Sequence, residues 1–155
     1  METNVENTVR DIIRKMKASS TMNLKLALAL MEQVEAEAAR MGVKVVVAVS
    51  DASGRPIAIH CMDGAYIGSY DVALNKTYTS VAFQMSTAEL AKLAAPGGSL
   101  YGIQHTNEGK IVIFGGGEPL YVDGVMVGAI GVSGGTAEQD TKLGAYGKCK
   151  FEELV

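Results

Sequence analysis

Apolar positions along this chain alternate between a helical and a strand period, and each switch marks an element. Val5, Val9, Ile12, Ile13 and Met16 fall at helical spacing, so residues 1–16 read as a short amphipathic helix with one apolar stripe. Thr3 and Glu6 have capping-box spacing, and acids near the start with bases near the end suit the helix dipole. Residues 17–21 are polar and read as a linker. A helix is predicted over 23–41, where Leu24, Ala27, Leu28, Met31, Glu35 and Ala38 mark a mostly apolar face and Gly42 supplies the stop. Val43 to Ser50 is a β-branched run that suits a central strand. Asp51 to Arg55 turns the chain, and Pro56 to Met62 returns as a second strand closed by Asp63-Gly64.

Helical spacing resumes over 69–85, with Leu74, Tyr78, Val81, Ala82 and Met85 on one face. Ser86 and Glu89 form a capping box, so another helix is expected over 87–94, ended by Ala95-Pro96-Gly97-Gly98-Ser99. Ile111 to Phe114 reads as a strand. Leu120-Tyr121-Val122, Asp123-Gly124 and Val125-Met126-Val127 make the strongest hairpin signal, and the second strand continues through Gly128, Ile130 and Val132. Thr136 to Gln139 is a further capping box, opening a C-terminal helix. The order is helix, two strands, helices, three strands, helix. Hairpins joined by helices imply an α+β sandwich built on an antiparallel sheet.

Composition narrows this to one domain, residues 22–155, with a short appendage: the chain has 155 residues, 48% of them hydrophobic. A net charge of −3 without a basic cluster argues against a nucleic-acid partner. No run suits a secretory signal or a membrane span, and Cys61 and Cys149 read as reduced thiols, so a cytoplasmic protein is expected. A helix as short as 1–16 is marginal alone and must bury its stripe on the chain's own core or on another protein. The runs Val43 to Val49 and Val125 to Val132 are too apolar to leave a face wet, which predicts a homo-oligomer.

Candidate chemistry is sparse. The chain has 18 glycines, and clusters at Gly97-Gly98, Gly115-Gly116-Gly117 and Gly134-Gly135 lie at element junctions. The last pair precedes a helix start, whose amides can receive a carboxylate or another anion, with Lys76 as a polar partner. None of the clusters matches a dinucleotide fingerprint. His60 stands mid-strand, on the face opposite Ile57, Ile59 and Cys61, while His105 falls in a loop. No catalytic triad, HExxH or paired-carboxylate motif is present, so the motifs do not declare an enzyme. Sheet-end loops converge, so His60 and the three glycine clusters are expected around a common rim.

Two resemblances add to this reading. Asn4 to Ile13 resembles the N-terminal encapsulation peptides that recruit cargo into bacterial microcompartments. That implies a place in the compartment lumen, with shell proteins or co-encapsulated enzymes as partners of residues 1–16. Residues 22 to about 150 resemble the haem-binding, "haem-degrading" domain family. The match rests on Ser50 to Pro56, Met62-Asp63-Gly64-Ala65, Asn75 to Ala82, Ala95 to Ile103, Ile113 to Leu120, Gly128 to Thr136 and Glu138-Gln139-Asp140. This family includes the C-terminal domain of propanediol-utilisation cobalamin adenosyltransferases. It implies a profilin-like α/β/α sandwich with a five-stranded antiparallel sheet, oligomers, and haem or a corrinoid as cofactor. His60 is then the candidate axial metal ligand, on the chemistry of its imidazole. The leading expectation is an accessory cofactor-binding protein packaged in a microcompartment. The alternatives are an enzyme acting on a small carboxylate or aldehyde, and an oligomeric scaffold.

Overall fold

Asp123 and Gly124 both take positive φ, 50° and 78°, the two-residue turn that matches the twist of a hairpin. It joins β3 (Gly117–Val122) to β4 (Val125–Ser133). The computed structural model describes residues 2–19 and 21–155, and the side chains of residues 1–3 and 14–20 lie outside that description. The α-helices and the other strands are α1 (Glu2–Ser19), α2 (Leu24–Arg40), β1 (Val46–Asp51), β2 (Pro56–Cys61), α3 (Ser69–Phe83), α4 (Thr87–Ala94) and α5 (Ala137–Leu154), with short 3-10 turns at Ile103–His105 and Asn107–Gly109. Asn23, Ser86 and Thr136 cap α2, α4 and α5, the last two through complete capping boxes.

The sheet has four strands in the order β2-β1-β4-β3, with every neighbouring pair antiparallel. This corrects the expected five-stranded sheet. Ile111 and Val112 are buried, as a strand reading requires, but they form no strand. Thr79 of α3 intercepts their backbone: Val112 donates its N–H to Thr79 Oγ1 at 3.0 Å. The β-branched run therefore reported burial, and a helix side chain supplied the hydrogen bond that a partner strand would have given.

Helices cover both faces of the sheet. Val45, Val47 and Val49 pack with Leu30, Met31 and Val34 of α2 and Leu143 and Phe151 of α5. Val46 and Ala48 turn the other way, onto Ala73 of α3. A fully buried side chain of this kind contributes about 1.5–3 kcal/mol, so the strands carry much of the fold's stability. The small residues of β4 serve close approach within the chain. A Cβ at Gly131 would strike the Ala73 carbonyl of α3, and one at Gly128 would strike that of Ser50 in β1. The apolar character from which an oligomer was expected is thus used by the chain's own helices.

α1 runs three residues beyond the expected helix, into the segment read as linker, and it starts at Glu2, so Thr3 lies in its first turn. Along its stripe Val5, Val9, Ile12 and Ile13 are exposed, whereas the side chain of Met16 lies outside the described residues. Among the described residues no helix is long and apolar enough to cross a membrane.

Candidate functional site

The strand register gathers several expected residues at one end of the sheet. Gly117 opposes Gly131 and Val46 opposes Ser133, so the start of β3, the start of β1 and the end of β4 lie together. Gly134 and Gly135 leave from that end into α5. Lys76 reaches the same place from α3: its Nζ donates to the Val132 carbonyl at 2.6 Å and to Asp140 Oδ2 at 3.1 Å. Its side chain is wholly buried, and Phe114 presents its ring 5.0 Å from the ammonium. Burial pushes the Lys76 pKa below its ordinary value, and the charge and hydrogen bond of Asp140 act against that shift.

The anion at this helix start belongs to the chain itself. Gly135 donates its N–H to Asp140 Oδ1 at 2.9 Å, and Gly134 donates to Oδ2 at 3.4 Å. Thr136 N–H is taken by Gln139 Oε1 at 2.9 Å. Three of the amides that the sequence offered to an external carboxylate, those of Gly134, Gly135 and Thr136, are therefore engaged internally. Gly116 packs so closely that a Cβ there would meet the Val132 carbonyl and the Lys76 ammonium, and Gly117 donates to Thr87 Oγ1 at 2.9 Å. Gly115 abuts Thr141 of α5 in the same way. Lys76, Asp140 and the buried Gly115, Gly116 and Gly117 form a sealed knot that joins α3, α5 and the sheet. A separate cleft of about 450 Å³ lies beside it, walled by Lys44, Gly64, Tyr66, Gly134, Gly135 and Gln139.

His60 and Gly97-Gly98 stand apart from this knot. Gly97 and Gly98 serve the turn after α4, where Gly98 N–H donates to the Ala95 carbonyl at 2.7 Å. His105 is exposed at the end of a short 3-10 turn. His60 opposes Val47, so it shares the sheet end with the glycines but points to the α2 face. The common rim expected for these residues thus divides into separate places. On the α2 face His60 Nδ1 lies 2.6 Å from Glu35 Oε1. The two side chains are 40% and 26% exposed, so the pair is open to solvent where the Lys76 pair is sealed. A depression of about 320 Å³ adjoins it, lined by Glu35, Ile59, His60, Cys61 and Met62 on β2, an edge strand.

Sequence reasoning missed both carboxylates. Their signals were present: Glu35 is a lone acid on an otherwise apolar helix face, and Asp140 follows two glycines and a capping box. With Nδ1 facing a carboxylate, the imidazole keeps Nε2 as its available donor. Among the described residues no group of three or more His, Cys, Asp and Glu is placed to hold a bare ion. A single histidine on an apolar edge suits a metal that arrives with its own equatorial ligands, such as one in a tetrapyrrole. The Lys76 knot has no opening for such a group.

Residues 22–147 match the family model described as haem degrading protein HbpS-like. The chain belongs to the HbpS-like family. A 15.0 kDa protein from the dhaT–dhaS intergenic region of Citrobacter freundii is 42% identical over 142 residues, covering 92% of this chain and 100% of that protein. The corrinoid adenosyltransferase PduO of Salmonella typhimurium is 41% identical over 106 residues, which are 68% of this chain but only 32% of that enzyme. Among solved structures, a PduOC–haem complex is similar, with a TM-score of 0.80 and 33% identity, covering 83% of this chain and 94% of that one. HbpS-like membership bears out the resemblance drawn from the motifs.

Proposed function

We propose that this HbpS-like protein binds haem on the β2 edge, with His60 Nε2 as axial donor, as an accessory protein rather than a catalyst. The observation that carries the reading is the orientation of His60, whose Nδ1 is engaged by Glu35 while its ring borders an open, largely apolar depression. Family membership and the similarity to a haem-bound relative support the choice of ligand. Met62 offers apolar contact to a porphyrin face on the side of the imidazole, so the residues present fit the group. When bound, haem supplies iron chemistry. The chain's part is to hold the ring, present one imidazole and restrict water on that side. A corrinoid is the second reading, favoured by the name of the Salmonella relative, and the same imidazole would serve it.

Haemin titration of the purified protein tests this. The expected result is a stoichiometric Soret shift that is lost in His60→Ala and kept in His105→Ala. A shift that survives His60→Ala would remove the assigned donor. Aquocobalamin in place of haemin separates the two cofactor readings.

Packaging in a microcompartment is part of the proposal. The exposed α1 stripe of Val5, Val9, Ile12 and Ile13 supports it, because a helix docking into a groove uses such a row of anchors. Shell proteins or co-encapsulated enzymes are the intended partners. A reporter fused to residues 1–20 should co-localise with shells, and one carrying Val9→Glu and Ile13→Glu should stay diffuse. We also place the protein in a homo-oligomer, supported by the exposed Tyr66, Ile67 and Tyr70, of which Ile67 is 96% exposed. Sedimentation as a 16.3 kDa monomer at micromolar concentration would refute that.

A further inference from the structure

A histidine that ligates a metal commonly gives its other ring nitrogen to a carboxylate or a carbonyl. Here the acceptor is a full carboxylate. Glu35 Oε1 lies 2.6 Å from His60 Nδ1, a little shorter than the usual range of about 2.7–2.9 Å for charge-assisted N–H···O hydrogen bonds. Glu35 stands on the buried-facing side of α2 between Met31 and Ala38, both wholly buried, so the helix fixes its backbone against the sheet. His60 is fixed in turn by its strand pairing with Val47. The contact therefore joins two rigid elements. The neighbouring acid Glu37 is held by Arg40 through two hydrogen bonds, which leaves that arginine engaged away from Glu35.

We infer that Glu35 is a positioning residue that selects the oxidation state of the bound group: acting through His60, it makes the site favour ferric over ferrous haem. The inference rests on the proposed haem reading and adds a ligand preference to it. A carboxylate accepting the Nδ1 proton drives electron density toward Nε2, and a more electron-rich donor stabilises Fe(III) more than Fe(II). Its negative charge, close behind the ring, acts in the same direction. The same contact holds the Nδ1–H tautomer, so Nε2 is ready as a donor before any ligand arrives. The ligand class is thus free ferric haem, haemin, rather than the ferrous form that binds dioxygen.

Glu35→Gln keeps the size and an acceptor oxygen while removing the charge, so it separates an electronic role from a bracing role. Removing the group that hydrogen-bonds a metal-ligating histidine costs about 10–100-fold in affinity. In Glu35→Gln haemin affinity is expected to fall by about tenfold, with affinity for dithionite-reduced haem nearly unchanged. A tenfold change in the ferric-to-ferrous ratio raises the one-electron midpoint by about 59 mV. Histidine 15N NMR of the ligand-free protein gives an independent readout: Nδ1–H should dominate in the wild type and lose that dominance in Glu35→Ala. If Glu35→Gln shifts both affinities equally and leaves the midpoint in place, Glu35 is only a brace and the inference falls alone. If the wild type takes up no haemin, or His60→Ala binds it as tightly, the haem reading falls and takes this inference with it.

Discussion

Two of the acid–base pairs that tie helices to this sheet differ in what they leave available. Lys76 and Asp140 meet at 3.1 Å with side-chain exposures of 0% and 4%. His60 and Glu35 meet at 2.6 Å with exposures of 40% and 26%. In the first pair every strong partner is internal: a carbonyl, a carboxylate and two backbone amides. In the second, one ring nitrogen is engaged and the half-exposed ring borders an open depression. Burial makes the first pair costly to break and chemically silent. Exposure makes the second cheap to alter and able to take a ligand. A glycine-rich helix start can look like an anion site in sequence and still be filled by the chain itself.

The sharpest way to break that contrast is to truncate each pair in turn. Lys76→Met leaves Asp140 buried without its cation, and such losses run about 3–5 kcal/mol, to be read in urea melts. Gly116→Ala should follow at about 1–3 kcal/mol, because its φ of 121° and the Val132 carbonyl both oppose a side chain. By contrast His60→Ala, at a half-exposed site, should change stability by less than about 1 kcal/mol while abolishing the haemin spectrum. Comparable destabilisation by Lys76→Met and His60→Ala would erase the distinction.

Acid–base linkage sharpens it further. The Lys76 pKa is lowered in the fold, so below that folded value its charge is held at a cost. Between the folded value and the ordinary 10.5 the unfolded chain binds more protons, and stability rises with pH. The stability difference between wild type and Lys76→Met should therefore widen as melts move from neutral pH toward 10.5. The smallest effect expected is from deleting residues 1–20. With four stripe residues already exposed, unfolding free energy should change by about 0.5 kcal/mol or less. A large drop would return α1 to the core.

The legible parts of this chain were those fixed locally. The Asp-Gly hairpin, the capping boxes at Ser86 and Thr136 and the β-branched run from Val43 to Ser50 each encode geometry within a few residues. The α+β class followed from their order. Ile111 to Phe114 misled because β-branched residues signal burial as readily as pairing, and the hydroxyl that satisfies Val112 comes from Thr79, a residue far back in the sequence. The same limit hid the site pairings. His60 and Lys76 were recognisable as chemistry, yet their carboxylate partners are 25 and 64 residues away. Glu35 was visible only as a polar interruption of an apolar helix face.

Paramagnetic broadening of backbone amides on adding ferric haemin to the 15N-labelled protein tests the central claim most directly, since it locates the ligand without any mutation. Broadening centred on Ile59 to Met62 and on α2 around Glu35, with Gly115 to Gly117 and Gly134 to Gln139 largely spared, is the predicted result. Broadening centred on the glycine-rich end, with the β2 edge unaffected, would contradict the account.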